Sequence, residues 1–181
     1  MNTDTTTNMR EVKPVAGART TPLPGMAAGF ALATAFAIVE FGEGIVDPNA
    51  GNDITIFDRL IAVSGSVYWL TCIYRMHKVL AEATDSSHPI SPARGAFFNL
   101  IPFFNLYWVF RWTNQIARFV NRSSKTRMAI GWPGFFLLLG YLLASVDSAL
   151  FLLVTFGVGT YLNRKIRQAL PVEATSSGAW P

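Results

Sequence analysis

Charge is scarce in this chain of 181 residues: Asp, Glu, Lys and Arg make up 14% of it, against about 25% in soluble domains, and 51% is hydrophobic. Cysteine is nearly absent. The single Cys72 excludes an internal disulfide and a thiolate cluster within one chain, and the two histidines, His77 and His88, are too few for a self-contained zinc site. A bis-histidine haem site would need a second histidine inside the membrane, and His88 lies in a Pro-flanked loop. Phosphate-cradling and catalytic signatures are also missing: there is no Walker loop, no G-x-G-x-x-G, no H-E-x-x-H, and Ser64-Gly65-Ser66 has no G-x-S-x-G frame. The residues call for no cofactor and no metal, and they nominate no enzyme.

Long apolar runs are present instead. They are unbroken rather than striped, which points to a multi-pass, all-α integral membrane protein. Residues 1–23, rich in Thr with Pro14 and Pro22, read as a disordered cytoplasmic tail, 24–169 as a helical membrane domain, and 170–181 as a second tail. The first span runs from Gly25 to Val46, 22 residues or roughly 33 Å. Gly25, Gly29, Ala33 and Ala37 recur every four residues and form a face on which another helix can pack closely. The second span runs from Leu60 to Leu80 and is apolar as far as Tyr74. Pro89 and Pro92 then prevent a continuous helix.

The segment from Gly95 to Phe110 is short for a span, 16 residues, and contains Asn99, Pro102 and Asn105. After it Arg111, Arg118, Arg122 and Lys125 follow one another on one side, while Trp108, Trp112, Ile116, Phe119 and Val120 occupy the other. This predicts a basic amphipathic helix on the membrane surface, with those cations and tryptophans meeting lipid. Residues 129–162 are too long for one crossing and form a hairpin with its tip at Asp147 and Ser148. The expected fold is therefore four transmembrane helices plus a Pro-containing re-entrant or interfacial segment and the amphipathic helix.

Charge sets the direction. If Gly95–Phe110 dips in and returns to the same side, fourteen of the fifteen Lys and Arg residues are cytoplasmic and Arg59 alone lies outside. A full crossing would place the five cations after it outside. Both termini are then cytoplasmic. The net charge of +4 follows from orientation and contact with anionic lipid headgroups rather than from nucleic-acid binding.

Three sets of residues carry two readings each. Asn99, Pro102 and Asn105 mark a gate or ligand site, or else a shallow hairpin docked on the other helices with its amides paired to loose carbonyls. Glu40, Glu43 and Asp147 form an ion or proton site, or sit hydrated among outer headgroups. Arg75, His77 and Lys78 bind an acidic headgroup or a partner, or simply anchor the inner boundary.

The stretch Tyr68–Asn121 resembles a bacterial domain-of-unknown-function family of small multi-spanning membrane proteins. The resemblance rests on Tyr68-Trp69, Tyr74-Arg75-Met76-His77-Lys78, Ser91-Pro92 and Ile101-Pro102-Phe103-Phe104-Asn105-Leu106, followed by the amphipathic helix. Where family members often carry a second proline, this chain has Tyr107-Trp108-Val109. The resemblance implies a bacterial membrane protein and supplies no catalytic residue. Two functions remain open: a non-catalytic scaffold or accessory subunit that packs against other membrane proteins or its own copies, and a small transporter or channel using the Pro102 break and the outer carboxylates.

Overall fold

The computed structural model describes residues 21–46, 56–144 and 148–170. Among these residues there are six α-helices and no strand: α1 (Ala27–Val46), α2 (Ile56–Ala83), α3 (Pro92–Phe97), α4 (Phe104–Ser123), α5 (Trp132–Leu143) and α6 (Ser148–Ala169), with a 3-10 turn, Phe98–Leu100, after α3. Proline places two of the starts. Pro92 opens α3 behind Ser91, whose hydroxyl accepts from the Arg94 N–H, and Pro133 lies in the first turn of α5, after Gly131 at φ 89°. A proline there loses no helical hydrogen bond, because the first amides of a helix have no internal acceptor.

Contacts between helices give their directions. Gly65 meets Leu152 and Gly159 meets Trp69, so α2 and α6 run parallel. Gly29 meets Phe156 and Met26 meets Gly159, so α1 runs against both. Gly134 lies on Phe110 and Thr113 while Asn105 reaches Tyr141, so α4 and α5 are antiparallel. The start of α1 and the ends of α2, α4 and α6 therefore gather at one end of the bundle. That end is strapped by polar side chains: the Thr21 N–H and hydroxyl donate to the Glu82 carboxylate at 2.6 Å each, Tyr68 donates to the Gly25 carbonyl, and Asn163 donates to the Pro24 carbonyl at 2.7 Å. The chain is thus engaged from Thr21, ahead of residue 24.

The core sits toward this same end. Trp69, Cys72, Ile73, Met76, Val79 and Leu80 form one buried stripe of α2, facing Trp112, Ile116 and Val120 of α4 and Phe156, Leu162 and Ile166 of α6. Each fully buried large side chain contributes on the order of 1.5–3 kcal/mol. Trp69 is the hub, edge-on to Phe156 with ring centroids 5.9 Å apart and 6.3 Å from Trp112. Toward the opposite end the large apolar side chains point outward, Leu60, Val63 and Val67 of α2, Leu139 and Leu142 of α5, and Leu150 and Leu153 of α6, while Phe135 and Phe136 are exposed on α5 at the level of the core.

Three expectations are corrected. Gly95–Phe110 is not one element: α3 and the 3-10 turn end at Leu100, Phe103 takes φ 60°, and Phe104 begins a 20-residue helix that continues through the basic stretch. Pro102 stands between helices rather than inside one. Trp108 and Trp112 do not meet lipid; with Ile116 and Val120 they are buried, because the apolar face of α4 closes the core between α2, α5 and α6. Finally, among the described residues no helix is long and apolar enough to cross a membrane. Ser64-Gly65-Ser66 and Arg75 interrupt α2, α5 has 12 residues, and α6 turns polar at Asn163.

Candidate functional site

The break at Ile101–Phe103 turns α3 and α4 into a helical hairpin that climbs along α2 and returns. Tight local bonds hold the turn: the Phe104 N–H donates to the Pro102 carbonyl at 2.6 Å and the Asn105 N–H to the Ile101 carbonyl at 3.0 Å. The two legs are tied through one acceptor. The Gly95 carbonyl receives the Asn99 Nδ2 at 2.6 Å from its own leg and the Trp108 Nε1 at 3.3 Å from the other. Phe98 packs edge-on to Trp108 at 4.8 Å, and Phe104 stacks on the same indole.

Beside this hairpin lies a cavity of about 150 Å³, walled by Gly65, Ser66, Trp69 and Leu70 of α2, Asn99 and Leu100, Tyr141 of α5, and Phe151, Leu152 and Thr155 of α6. Asn99 spends both donor protons locally, on the carbonyls of Gly95 and Ala96, so its remaining polar atom is Oδ1, which is buried without a partner. Asn105 lies near Tyr141, and its Oδ1 is likewise buried and unpaired. A second, more open cavity of about 250 Å³ lies next door, formed by Val67, Leu70, Thr71, Tyr74, Ala96, Phe97 and Leu100; Leu70 and Leu100 belong to both. Asn99, Pro102 and Asn105 were legible as a break. Tyr141 and Thr155 carry no sequence signal that links them to it, since helix packing alone brings them there.

The second polar feature joins the two histidines. His77 is fully buried on α2, and its Nδ1 lies 3.0 Å from the His88 Nε2. His88 reaches His77 from the Pro-flanked loop, which turns through Asp85 and Ser86, both at positive φ. Gly95 lies directly on the His77 ring: a Cβ there would stand 2.4 Å from His77 Cδ2, so no other residue fits. His77 Nε2 is buried without a partner. Burial lowers His88, in the loop, to about 4, so it stands neutral at pH 7 and shares one hydrogen bond with His77. Among the described residues no group of three or more His, Cys, Asp or Glu side chains gathers to hold a metal.

The remaining residues are spread apart. Gly29 and Ala33 are buried inside the bundle and Ala37 is half-buried against the core, whereas Gly25 is exposed with nothing within 4 Å of its Cβ position. A Cβ on Gly29 would stand 2.3 Å from the Phe156 ring, so this face of α1 is occupied by α6 of the same chain. Arg75, Lys78, Arg111, Arg118, Arg122 and Lys125 are all exposed, and Arg111 donates to the Tyr107 hydroxyl at 2.8 Å. Glu40 and Glu43 fall on α1, but their side chains and the whole of Asp147 lie outside the described residues.

Comparison with known proteins adds nothing to this geometry: no family model, no curated protein and no solved structure matches the chain, and the resemblance across Tyr68–Asn121 gains no support from them.

Proposed function

We propose that the chain is a non-catalytic integral-membrane protein, an accessory or scaffold subunit of a bacterial inner membrane. The observation that supports this reading is the set of exposed large apolar side chains on α2, α5 and α6, among them Leu60, Val63, Leu139 and Leu153, at the end of the bundle where Arg59 is the one described cation. Contiguous apolar surface beyond a few hundred Å² marks contact with a membrane or another protein. In this reading the apolar end of the bundle, with the tip of the α3–α4 hairpin, is embedded in the bilayer without any described helix completing a crossing, and both termini lie on the cytoplasmic side with Arg75, Lys78, Arg118, Arg122 and Lys125 at the inner headgroups. The apolar stretch of α2 between Leu60 and Tyr74, 15 residues or roughly 22 Å, falls short of a hydrocarbon layer of about 30 Å. The Gly29–Ala37 face is used within the chain, which leaves the aromatic side of α5, Trp132, Phe135 and Phe136, as the surface for a partner subunit or a second copy.

Extraction of membranes at alkaline pH tests the first part. The protein should stay in the pellet, and recovery in the supernatant contradicts insertion. Purification in mild detergent tests the second: a stable homo-oligomer or a stoichiometric membrane partner supports the subunit role, and a strictly monomeric species in several lipid environments opposes it. The transporter reading retains the cavity beside Asn99, and flux through reconstituted vesicles that is lost on filling this cavity would favour it.

A further inference from the structure

We infer that the α3–α4 hairpin makes the bundle a wedge filling one leaflet, and that the partner this wedge fits is a bilayer convex toward the cytoplasm. The inference rests on the membrane reading above and goes beyond it to the shape of the membrane chosen. Contacts between helices set the levels. Asn99 and Leu100, at the end of the rising leg, share a cavity wall with Gly65, and Asn105, at the start of the returning leg, lies near Tyr141. Since α5 stops at Leu143, it ends level with the hairpin tip. Past that level α2 continues to Ile56, roughly 13 Å, while α6, which meets Gly65 at Leu152, reaches only to Ser148, roughly 6 Å. Seated on Phe156 at Gly29, α1 runs on to Val46. Among the described residues, six helical segments thus stand side by side at the hairpin, and beyond it only α1 and α2 carry on with the first turn of α6. With helices about 10–12 Å across, the cross-section falls by roughly half between the two depths.

The chemistry of the hairpin selects lipid. No Asp, Glu, Lys or Arg occurs between Arg94 and Arg111, which stand at the bases of the two legs within one turn of the Trp108–Gly95 hydrogen bond. From Arg111 to Phe104 the returning leg is roughly 10 Å long, less than the about 15 Å of hydrocarbon in one leaflet. Phe97, Leu100, Ile101, Phe103 and Leu106 are exposed on this stretch, Phe103 by 87%. The reversal is a γ-turn: Phe103 takes φ 60° and ψ −43°, and the Phe104 N–H closes on the Pro102 carbonyl at 2.6 Å. That conformation is strained for an aromatic residue, and it leaves the tip's amides paired where water is absent. Pro102 brings no N–H, and the Asn105 and Leu106 amides donate to the Ile101 and Phe103 carbonyls at 3.0 and 3.2 Å. Arginines at the base match anionic headgroups, and the charge-free tip matches acyl chains. An inclusion that adds area to one leaflet alone packs best where that leaflet is expanded, so a convex cytoplasmic surface is favoured.

Single-vesicle fluorescence tests this on the full chain, reconstituted into vesicles of phosphatidylcholine and phosphatidylglycerol at about three to one, from about 40 to about 200 nm across. A dye on Lys78→Cys, in a Cys72→Ala background, reports orientation through an external quencher. With the basic end outside, protein density per membrane area should rise about threefold or more from the largest vesicles to the smallest; with the basic end inside it should fall. Phe103→Asn, at an exposed site and with a side chain that accepts positive φ, should cut the rise by about half or more while tryptophan fluorescence is unchanged. Density indifferent to diameter overturns the inference. So does the same trend in both orientations, or a rise that Phe103→Asn leaves whole. A homo-oligomer in detergent that Phe103→Asn dissolves would assign the tip to a second copy and overturn it as well. Failure of the membrane reading would show separately, as recovery in the alkaline supernatant.

Discussion

The two halves of α2 are built from similar residues and meet opposite surroundings. Between Ile56 and Val67 the side chains of Ile56, Leu60, Val63 and Val67 face outward, Ile56 being 70% and Val63 60% exposed; from Trp69 to Leu80 the apolar stripe is buried, with Cys72, Ile73 and Met76 fully so. Both halves carry charge, Asp58 and Arg59 in the first and Arg75 and Lys78 in the second, so charge alone does not separate them. The difference teaches that hydropathy located the apolar residues here but not the core, which forms where α4 and α6 close over the amphipathic half of the helix.

The comparison is broken most severely from the buried side. Trp112→Ala empties the space between Trp69 and His77 and should cost about 3–5 kcal/mol, read as a lower midpoint of chemical unfolding in detergent. Next comes overpacking: Gly29→Leu drives a side chain into the Phe156 ring and should cost about 1–3 kcal/mol in the same assay.

Acid probes the buried half at its polar end. His88 takes up a proton in the folded state only near pH 4, whereas an unfolded histidine does so near 6.5, so the unfolded chain binds more protons in between. Stability should be flat above about pH 6.5 and fall below it, by at most about 1.4 kcal/mol per pH unit for this imidazole. His88→Gln should flatten the slope, and an unchanged slope would show that His88 is not the origin. The exposed half should respond least: Val63→Ala or Leu139→Ala should change stability in detergent by less than about 0.5 kcal/mol.

Much of the helical segmentation was legible because prolines punctuate the apolar runs, Pro89 and Pro92 before α3, whereas the start of α5 was read at residue 129, ahead of Gly131 and Pro133 where it begins. The two faces of α4 were legible too, from the spacing of Trp108, Trp112, Ile116 and Val120, but their partner was not. An amphipathic stripe looks the same against lipid as against a core. At Pro102 the break itself was visible, while the reversal depends on the positive φ of Phe103, which a bulky aromatic does not advertise. The His77–His88 pair escaped for a related reason, since it exists only through the turn at Asp85–Ser86. That the chain's two histidines flank a single short loop was the available signal.

The central claim, that the exposed apolar end lies in a bilayer, is tested most directly by spin-label accessibility in lipid nanodiscs. Single cysteines at Val63, Leu139 and Leu153 are compared with cysteines at Lys78, Arg122 and Arg164, in a Cys72→Ala background. The account predicts that oxygen relaxes the first three labels more than a water-soluble nickel chelate does, and that the order reverses for the last three. Equal access of the chelate to both sets would contradict it.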